Sequence, residues 1–400
     1  MKLKTLKLLL PVVAITIQNN SASTIIPPFL QDLHISVAVL GTLISLNPIL
    51  ALVSRLPVGM AYNPRGARLL ISIAVLVMGI SNFFYSFATD GLTFAIVHSI
   101  NGFAYGAVTT LYMAFYVDSL PPEENRNHAM GYYVGTLALG YSTGNVFGGL
   151  IADHYGYGVT FQLAAFLSLI PCVLLWLFRG PGAPVEGEIK PKTATRLTSR
   201  DSWKALLEPE LAIVVITAVF LNLLHQMGGV FISLYGLGVG MSLTQIGVIR
   251  AAFAGCNAVT RPISGHVVSK FGHRRLSYAG IPLQSAILTL IPLFTGFGTV
   301  LTIYVMSGVM RAIVIVANAV GLVQDVDESK VPRGLGSGIY NAAGDLGSFL
   351  GPTIGGVIAQ ATSIGSVFII GPLGTTALFL IGILAARRLR SPATAVVNPS

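Results

Sequence analysis

The chain has 400 residues, 53% of them hydrophobic and only 10% charged. A soluble domain carries about 25% charged residues, so this composition excludes a water-covered globule and places the chain among membrane proteins. A formal net charge of +9 then reflects basic residues gathered on one side of a bilayer, and a nucleic-acid surface is not expected.

The N-terminal stretch MKLKTLKLLLPVVAITIQ starts like a signal peptide. No small-residue cleavage site follows, and Gln18, Asn19 and Asn20 interrupt the apolar run, so it reads as a retained first span. A bilayer crossing takes about 20 apolar residues. Twelve such runs occur, near 8–29, 37–58, 67–88, 92–116, 130–151, 159–179, 210–235, 243–264, 275–296, 299–322, 336–358 and 364–385. The expected class is an all-α membrane protein with 12 transmembrane helices in two pseudo-symmetric six-helix bundles. The expected division is an N-terminal bundle over 1–179, a Pro-, Gly- and charge-rich linker over 180–209, a C-terminal bundle over 210–386 and a tail over 387–400.

Of the 24 lysines and arginines, all but Arg55, Arg250, Arg261 and Arg311 fall in the segments on one side of these spans. That bias predicts cytoplasmic termini, with a bacterial inner (plasma) membrane as the expected location. Cys172 and Cys256 sit in apolar runs without disulfide or metal spacing, so no metal or other cofactor is expected.

The two groups of six spans repeat one another. Arg55-Leu-Pro-Val-Gly59 recurs 206 residues later as Arg261-Pro-Ile-Ser-Gly265, and at that offset Gly41 meets Gly247 and Gly102 meets Gly308. With one residue inserted, Tyr133 meets Tyr340, and Gly140, Gly144, Gly148 and Gly149 meet Gly347, Gly351, Gly355 and Gly356. Six is an even number, so both copies enter the membrane the same way round. A binding site is expected between them near the midplane.

Four stretches carry a family resemblance. The first is Gly59-Met-Ala-Tyr-Asn63-Pro-Arg-Gly66-Ala-Arg68, and its second copy is Gly265-His-Val-Val-Ser269-Lys-Phe-Gly272-His-Arg274-Arg275. The third is His98-Ser-Ile-Asn101-Gly102 in span 4. The fourth is Gly140-Tyr-Ser-Thr-Gly144-Asn145-Val-Phe-Gly148-Gly149 in span 5, with Gly351, Pro352 and Gly355 in its span 11 copy. Over nearly its whole length the chain resembles the major facilitator superfamily, in particular its 12-span drug/proton antiporter-like branch. The family's acid is missing from both copies of the first signature, where Asn63 and Ser269 stand in its place. His98 stands where span 4 usually has Arg. The resemblance implies a secondary active transporter working by alternating access, with spans 1, 4, 7 and 10 lining a central cavity. It also implies that the signature residues govern conformational change.

Ionisable groups inside a bilayer are costly and are functional candidates by default. Asp345 is the one acid expected within the hydrocarbon, in span 11, and with His98 it is the candidate proton carrier. Arg311 in span 10 and Arg250 in span 8 are the candidate substrate cations, and Arg311 is expected within ion-pair reach of Asp345, as a static pair or as a protonation switch. Two arginines against one aspartate favour an anionic or amphiphilic solute slightly over a neutral one. Asn222, His225 and Gln226 share a face of span 7, and Asn101 and Tyr105 share one with His98 in span 4. With Asn19, Asn20 and Tyr133 they are the remaining substrate-binding candidates; hydrogen bonding between helices is the alternative for the Asn and His residues. The glycine rows every four residues in spans 5 and 11 are expected to pack on spans of the opposite half. The partners expected are a small-molecule substrate, protons and membrane lipid, with the chain acting as a monomer. Import, uncoupled facilitation and lysolipid movement stay open beside efflux. A scaffold or receptor is disfavoured by the interior charges. An enzyme is not expected, because no nucleophile–base pair or metal-ligand cluster occurs.

Overall fold

In the bilayer interior no water satisfies backbone N–H and C=O groups, so an apolar chain resolves into helices. The computed structural model describes residues 3–121, 126–177, 209–328 and 333–388, and within them it is all-helical apart from turns. The first half contains α1 (Leu3–Asp32), α2 (Val37–Met60), α3 (Ala67–Tyr85), α4 (Gly91–Asp118), α5 (Arg126–Leu167) and α6 (Leu169–Leu177). The second contains α7 (Pro209–Gly238), α8 (Leu243–Phe271), α9 (His273–Leu288), α10 (Phe297–Glu328), α11 (Arg333–Ala361) and α12 (Ile364–Arg388), with a short 3-10 turn, Ile291–Leu293, after α9. Residues 180–208 of the expected linker lie outside the described residues.

Two boundaries differ from expectation. The chain reverses inside α5 at Gly156, whose φ of 82° and ψ of 171° break the helix. A positive φ is cheap only for glycine, so spans 5 and 6 join through a single residue. The ninth passage stops at Leu288 and is completed by the 3-10 turn rather than by helix. Eight helical segments among the described residues are long and apolar enough to cross a membrane, one of them spanning both sides of Gly156. The helices below that threshold, α4, α8 and α11, are those in which His98, Arg250, Arg261 and Asp345 dilute the apolar run.

Successive passages alternate in direction, α6 continuing the second arm of α5. At one end, Tyr112 near the close of α4 donates to the Leu8 carbonyl near the start of α1. At the other end Phe29, Phe94, Tyr157 and Phe161 pack as one aromatic group. The end holding the start of α1 and the close of α12 is the terminal face, and the opposite end the far face. Polar side chains start two far-face helices. Asp90 caps α4, accepting from the Leu92 and Thr93 N–H groups at 2.8 and 2.9 Å, and Ser242 with Gln245 forms a capping box on α8. Large apolar side chains such as Leu56, Phe84, Leu139, Val259 and Ile381 stay exposed on the flanks, as a lipid-facing surface requires.

The glycine rows overturn an expectation. Gly144 and Gly148 bring α5 onto the α1 backbone at Ile17 and Ser21, and Gly347 and Gly351 bring α11 onto α7 at Val219 and Leu223. Both rows therefore pack within their own half, where small residues let backbones touch. The two halves meet through other positions. A Cβ on Gly41 of α2 would overlap the Pro352 carbonyl of α11, and one on Gly247 of α8 would overlap the Asn145 carbonyl of α5. Gly356 and Gly149 complete these two crossings, against Val37 and Leu243. The crossings are related by the internal repeat down to single bonds. Ser45 Oγ donates to the Phe349 carbonyl at 2.7 Å. At the equivalent positions, Ser142 Oγ donates to the Ala251 carbonyl at 3.0 Å, so the same bond is made with its donor on the other helix.

Candidate functional site

The polar faces of the two halves meet around a central cavity of about 310 Å³. The N-terminal half contributes Asn19 and Asn20 from α1, Asn47 from α2, Asn82 from α3, His98, Asn101 and Tyr105 from α4, and Tyr141 and Asn145 from α5. The C-terminal half contributes His225 and Gln226 from α7, Arg250 and Phe253 from α8, Gln284 from α9, and Tyr304 and Ser307 from α10.

The first wall is neutral, its asparagines set among apolar and aromatic side chains such as Ile26, Pro27, Ile44 and Tyr85. Asn47 Nδ2 donates to Asn101 Oδ1 at 3.1 Å, and Asn101 Nδ2 to Asn82 Oδ1 at 3.4 Å. Asn145 Oδ1 accepts from the Thr24 hydroxyl at 2.6 Å. His98 is buried, with its ring stacked on Phe94 at 4.9 Å between centroids. Its Nε2 lies 3.3 Å from the Ile44 carbonyl and its Nδ1 2.6 Å from the Tyr85 hydroxyl. A carbonyl only accepts, so the proton is assigned to Nε2 and Nδ1 accepts from Tyr85, which gives a neutral ring with both nitrogens engaged.

The second wall carries the charge. Arg250 Nη1 donates to the Gly229 carbonyl at 2.8 Å and to Ser233 Oγ at 3.5 Å. His225 stacks on Phe253 with centroids 5.1 Å apart and planes 12° off parallel.

Three substrate candidates lie elsewhere. Arg311 does not line this cavity: its Nη1 donates to the Leu221 carbonyl at 2.6 Å and its Nη2 to Asn222 Oδ1 at 3.0 Å, tying α10 to α7. Asn222 also donates to the Ala218 carbonyl at 2.9 Å. Tyr133 is buried toward the terminal face, stacked on Tyr116 at 5.2 Å.

The expected Arg311–Asp345 pair is corrected by the geometry. Asp345 Oδ1 lies 3.2 Å from Nη2 of Arg55, in the opposite half. Helical phase explains it. Gly347, Gly351 and Gly355 seat α11 on α7, and a residue two positions from that row points about 200° away from it. Asp345, Phe349, Pro352 and Gly356 form the stripe facing α2, where Arg55 is the available cation. Asp345 Oδ2 has no hydrogen-bond partner among the described residues. At the equivalent place in the other crossing Arg261 recurs, but Ala138 replaces the acid, and Arg261 Nε instead donates to Asn257 Oδ1 at 3.0 Å. That crossing is fastened at the far face, where the Asp153 carboxylate of α5 accepts the Leu243 and Thr244 N–H groups at the start of α8, both at 2.8 Å.

The signature residues form two turns of unlike geometry. Asn63 Oδ1 accepts the Arg65 N–H at 3.0 Å, and Arg68 lies over the Phe115 ring at 5.7 Å. Gly66 is helical at φ −94°, whereas its counterpart Gly272 needs glycine at φ 82°. Gly59 and Gly265 have open space or ordinary contact around them, and Arg274 lies in the first turn of α9.

Arg55, Asn47, Asn82, Tyr85 and Tyr304 are among the site residues that sequence reasoning left without a role. Arg55 was visible in the repeated Arg-x-x-x-Gly segment, and Asn47 and Asn82 as single amides in apolar runs.

A central cavity lined by both of two related helical halves is the architecture of a membrane transport protein. The Major Facilitator Superfamily pattern matches residues 8–331 and 231–399, and the chain belongs to that superfamily. It is 22% identical over 340 residues to an uncharacterized transporter of the same kind from Methanocaldococcus jannaschii, covering 84% of this chain and 86% of that protein. It is 26% identical over 349 residues to the nitrite extrusion protein of Bacillus subtilis, covering 85% and 83%. It is 24% identical over 292 residues to the cis,cis-muconate transport protein of Acinetobacter baylyi, covering 71% and 68%. Among solved structures, the nucleoside transporter NupG superposes with a TM-score of 0.77 at 16% identity, over 98% of this chain and all of that one. A bacterial homolog of the lysosomal transporter Spinster, in an inward-facing unoccupied conformation, gives 0.75 at 15% identity over 96% and 95%.

Proposed function

We propose that the chain is a secondary active transporter that moves a small organic solute through the central cavity by alternating access, in exchange for protons and in the direction of efflux. The observation that carries this reading is the position of the cavity, walled by both halves and placed between the two glycine crossings. Rocking about those crossings exposes the same polar groups to one side and then to the other. Two relatives with matched lengths bear the names of small-solute carriers, for nitrite and for cis,cis-muconate. The lysines and arginines gathered in the sequence segments on one side of the spans support cytoplasmic termini, and in this reading the membrane is a bacterial inner membrane and the chain works as a monomer.

Asp345 is the proton carrier in this reading. Its free Oδ2 and its ion pair across the halves let protonation release Arg55 and loosen one crossing. His98, with both nitrogens engaged, holds α4 against α2 and α3. The test is solute flux in proteoliposomes under an imposed pH gradient, comparing wild type with Asp345→Asn. Gradient-driven accumulation should disappear in the variant while downhill exchange persists. Accumulation that survives the substitution removes Asp345 from the coupling, and failure of any small organic solute to move removes the transport reading.

A further inference from the structure

We infer that the transported solute is a small organic anion whose carboxylate is held by Arg250, an assignment that rests on the transport reading above. Among the described residues Arg250 is the one charged side chain lining the cavity, and no carboxylate lines it. Only its Nη1 is used among the described residues, on the Gly229 carbonyl and Ser233 hydroxyl. Neither partner neutralises the charge, and Nη2 and Nε remain as a second pair of donors. A guanidinium presents such donors as a planar fork that matches a carboxylate.

The surrounding field has the same sign. His225, beside Arg250 on this wall, lies within electrostatic reach of Arg250, Arg261 and Arg311 together. The acid that could balance them, Asp345, is engaged by Arg55 of the other half. A cationic solute would meet like charge here, and a neutral one would leave a desolvated arginine without a counter-ion. Both are costly where water is scarce. The opposite wall is neutral: its asparagines and His98 offer hydrogen bonds to an uncharged polar body and no competing charge. A volume of about 310 Å³ lies at the small end of ligand pockets, which run from ~300 to 1,000 Å³. The carboxylate therefore faces Arg250 and a short polar or aromatic remainder faces the amides.

The test is a thermal-shift titration of the full-length protein in detergent. The probes are size-matched sets of small carboxylates with their primary amides and amines. Arg250→Gln, Arg250→Lys and Arg311→Gln are titrated alongside, and every probe that shifts the wild type goes on to counterflow in proteoliposomes. Carboxylates alone should shift the wild type. Their apparent affinity should fall at least tenfold in Arg250→Gln, recover in part in Arg250→Lys, and fall clearly less in Arg311→Gln, because Arg311 contributes to the field and not to the cavity lining. The inference is overturned if amides or amines shift the wild type equally, if no carboxylate does, or if Arg250→Gln folds and binds carboxylates unchanged. Counterflow of amides or amines would sink the anion assignment and leave the transport reading standing. Carboxylates that bind through Arg250 without flux would do the reverse.

Discussion

Removing the Arg55–Asp345 pair should open the terminal face. At 3.2 Å, the Coulomb attraction is about 5 kcal/mol for an effective dielectric constant of ~20. Arg55 is 36% exposed and Asp345 15%, so solvent screening takes a large share. Exposed pairs are worth ~0–1 kcal/mol, and breaking a buried one costs ~3–5 kcal/mol. A half-buried pair between these limits contributes ~2 kcal/mol, or about a thirtyfold change in a two-state equilibrium at 1.4 kcal/mol per decade. The assay is a spin-label distance measurement between Met60→Cys on α2 and His266→Cys on α8, in a Cys172→Ser, Cys256→Ser background. Both labelled positions are exposed near the terminal face, on opposite halves. Arg55→Gln and Asp345→Asn should each move the population toward longer distances, and the exchange Arg55→Asp with Asp345→Arg should bring it back. The reasoning is refuted if the single variants leave the distribution unchanged, or if the exchanged pair is as open as they are.

The remaining expectations concern packing and the far face. Gly41→Ala sets a methyl against the Pro352 carbonyl and should cost ~1–3 kcal/mol as overpacking, read as a lower melting temperature in detergent; Gly135→Ala, with open space around it, should melt like wild type. Asp153→Ala strips two N–H partners from the start of α8. By analogy with lost helix caps it should weaken far-face closure by ~1 kcal/mol, measured as faster thiol labelling of Asn20→Cys from that side. Arg311→Met leaves the Leu221 carbonyl and Asn222 without their donor and should destabilise the fold by ~1–3 kcal/mol with a smaller loss of solute affinity than Arg250→Gln, as calorimetry and binding measured on the same preparation would show.

Much of the architecture was legible in the sequence because apolar run length reports on the bilayer directly and the internal repeat reports on how the two halves correspond. The reversal at Gly156 was only half legible: the gap between runs showed there, but not that one glycine would make the whole turn. The site was legible in its types and less so in its pairings. His98, Asn101, His225 and Arg250 line the cavity, and all four stand out as polar residues in apolar spans. The partner of Asp345 was not legible, because spans 10 and 11 adjoin along the chain and that nearness does not extend to their charges. Which way α11 faces is set by its glycine row, and the row seats on its own half rather than on the opposite one. With Gly347, Gly351 and Gly355 placed on α7, the spacing of Asp345, Phe349, Pro352 and Gly356 points to α2. Asn47 and Asn82 were visible as lone amides, but their shared pairing with Asn101, on another helix, was not.

A plain doubling of one half would have produced matching locks at both seams. Ala138 stands opposite Asp345 in the repeat, and Gln360 opposite Asp153. Half of the ionic fastenings are thus missing, and the two that remain occupy diagonal corners, one per seam and one per end of the passage. A machine that must never be unbarred at both ends needs bolts that can be drawn singly. Here the departure from symmetry supplies them, one to each glycine seam.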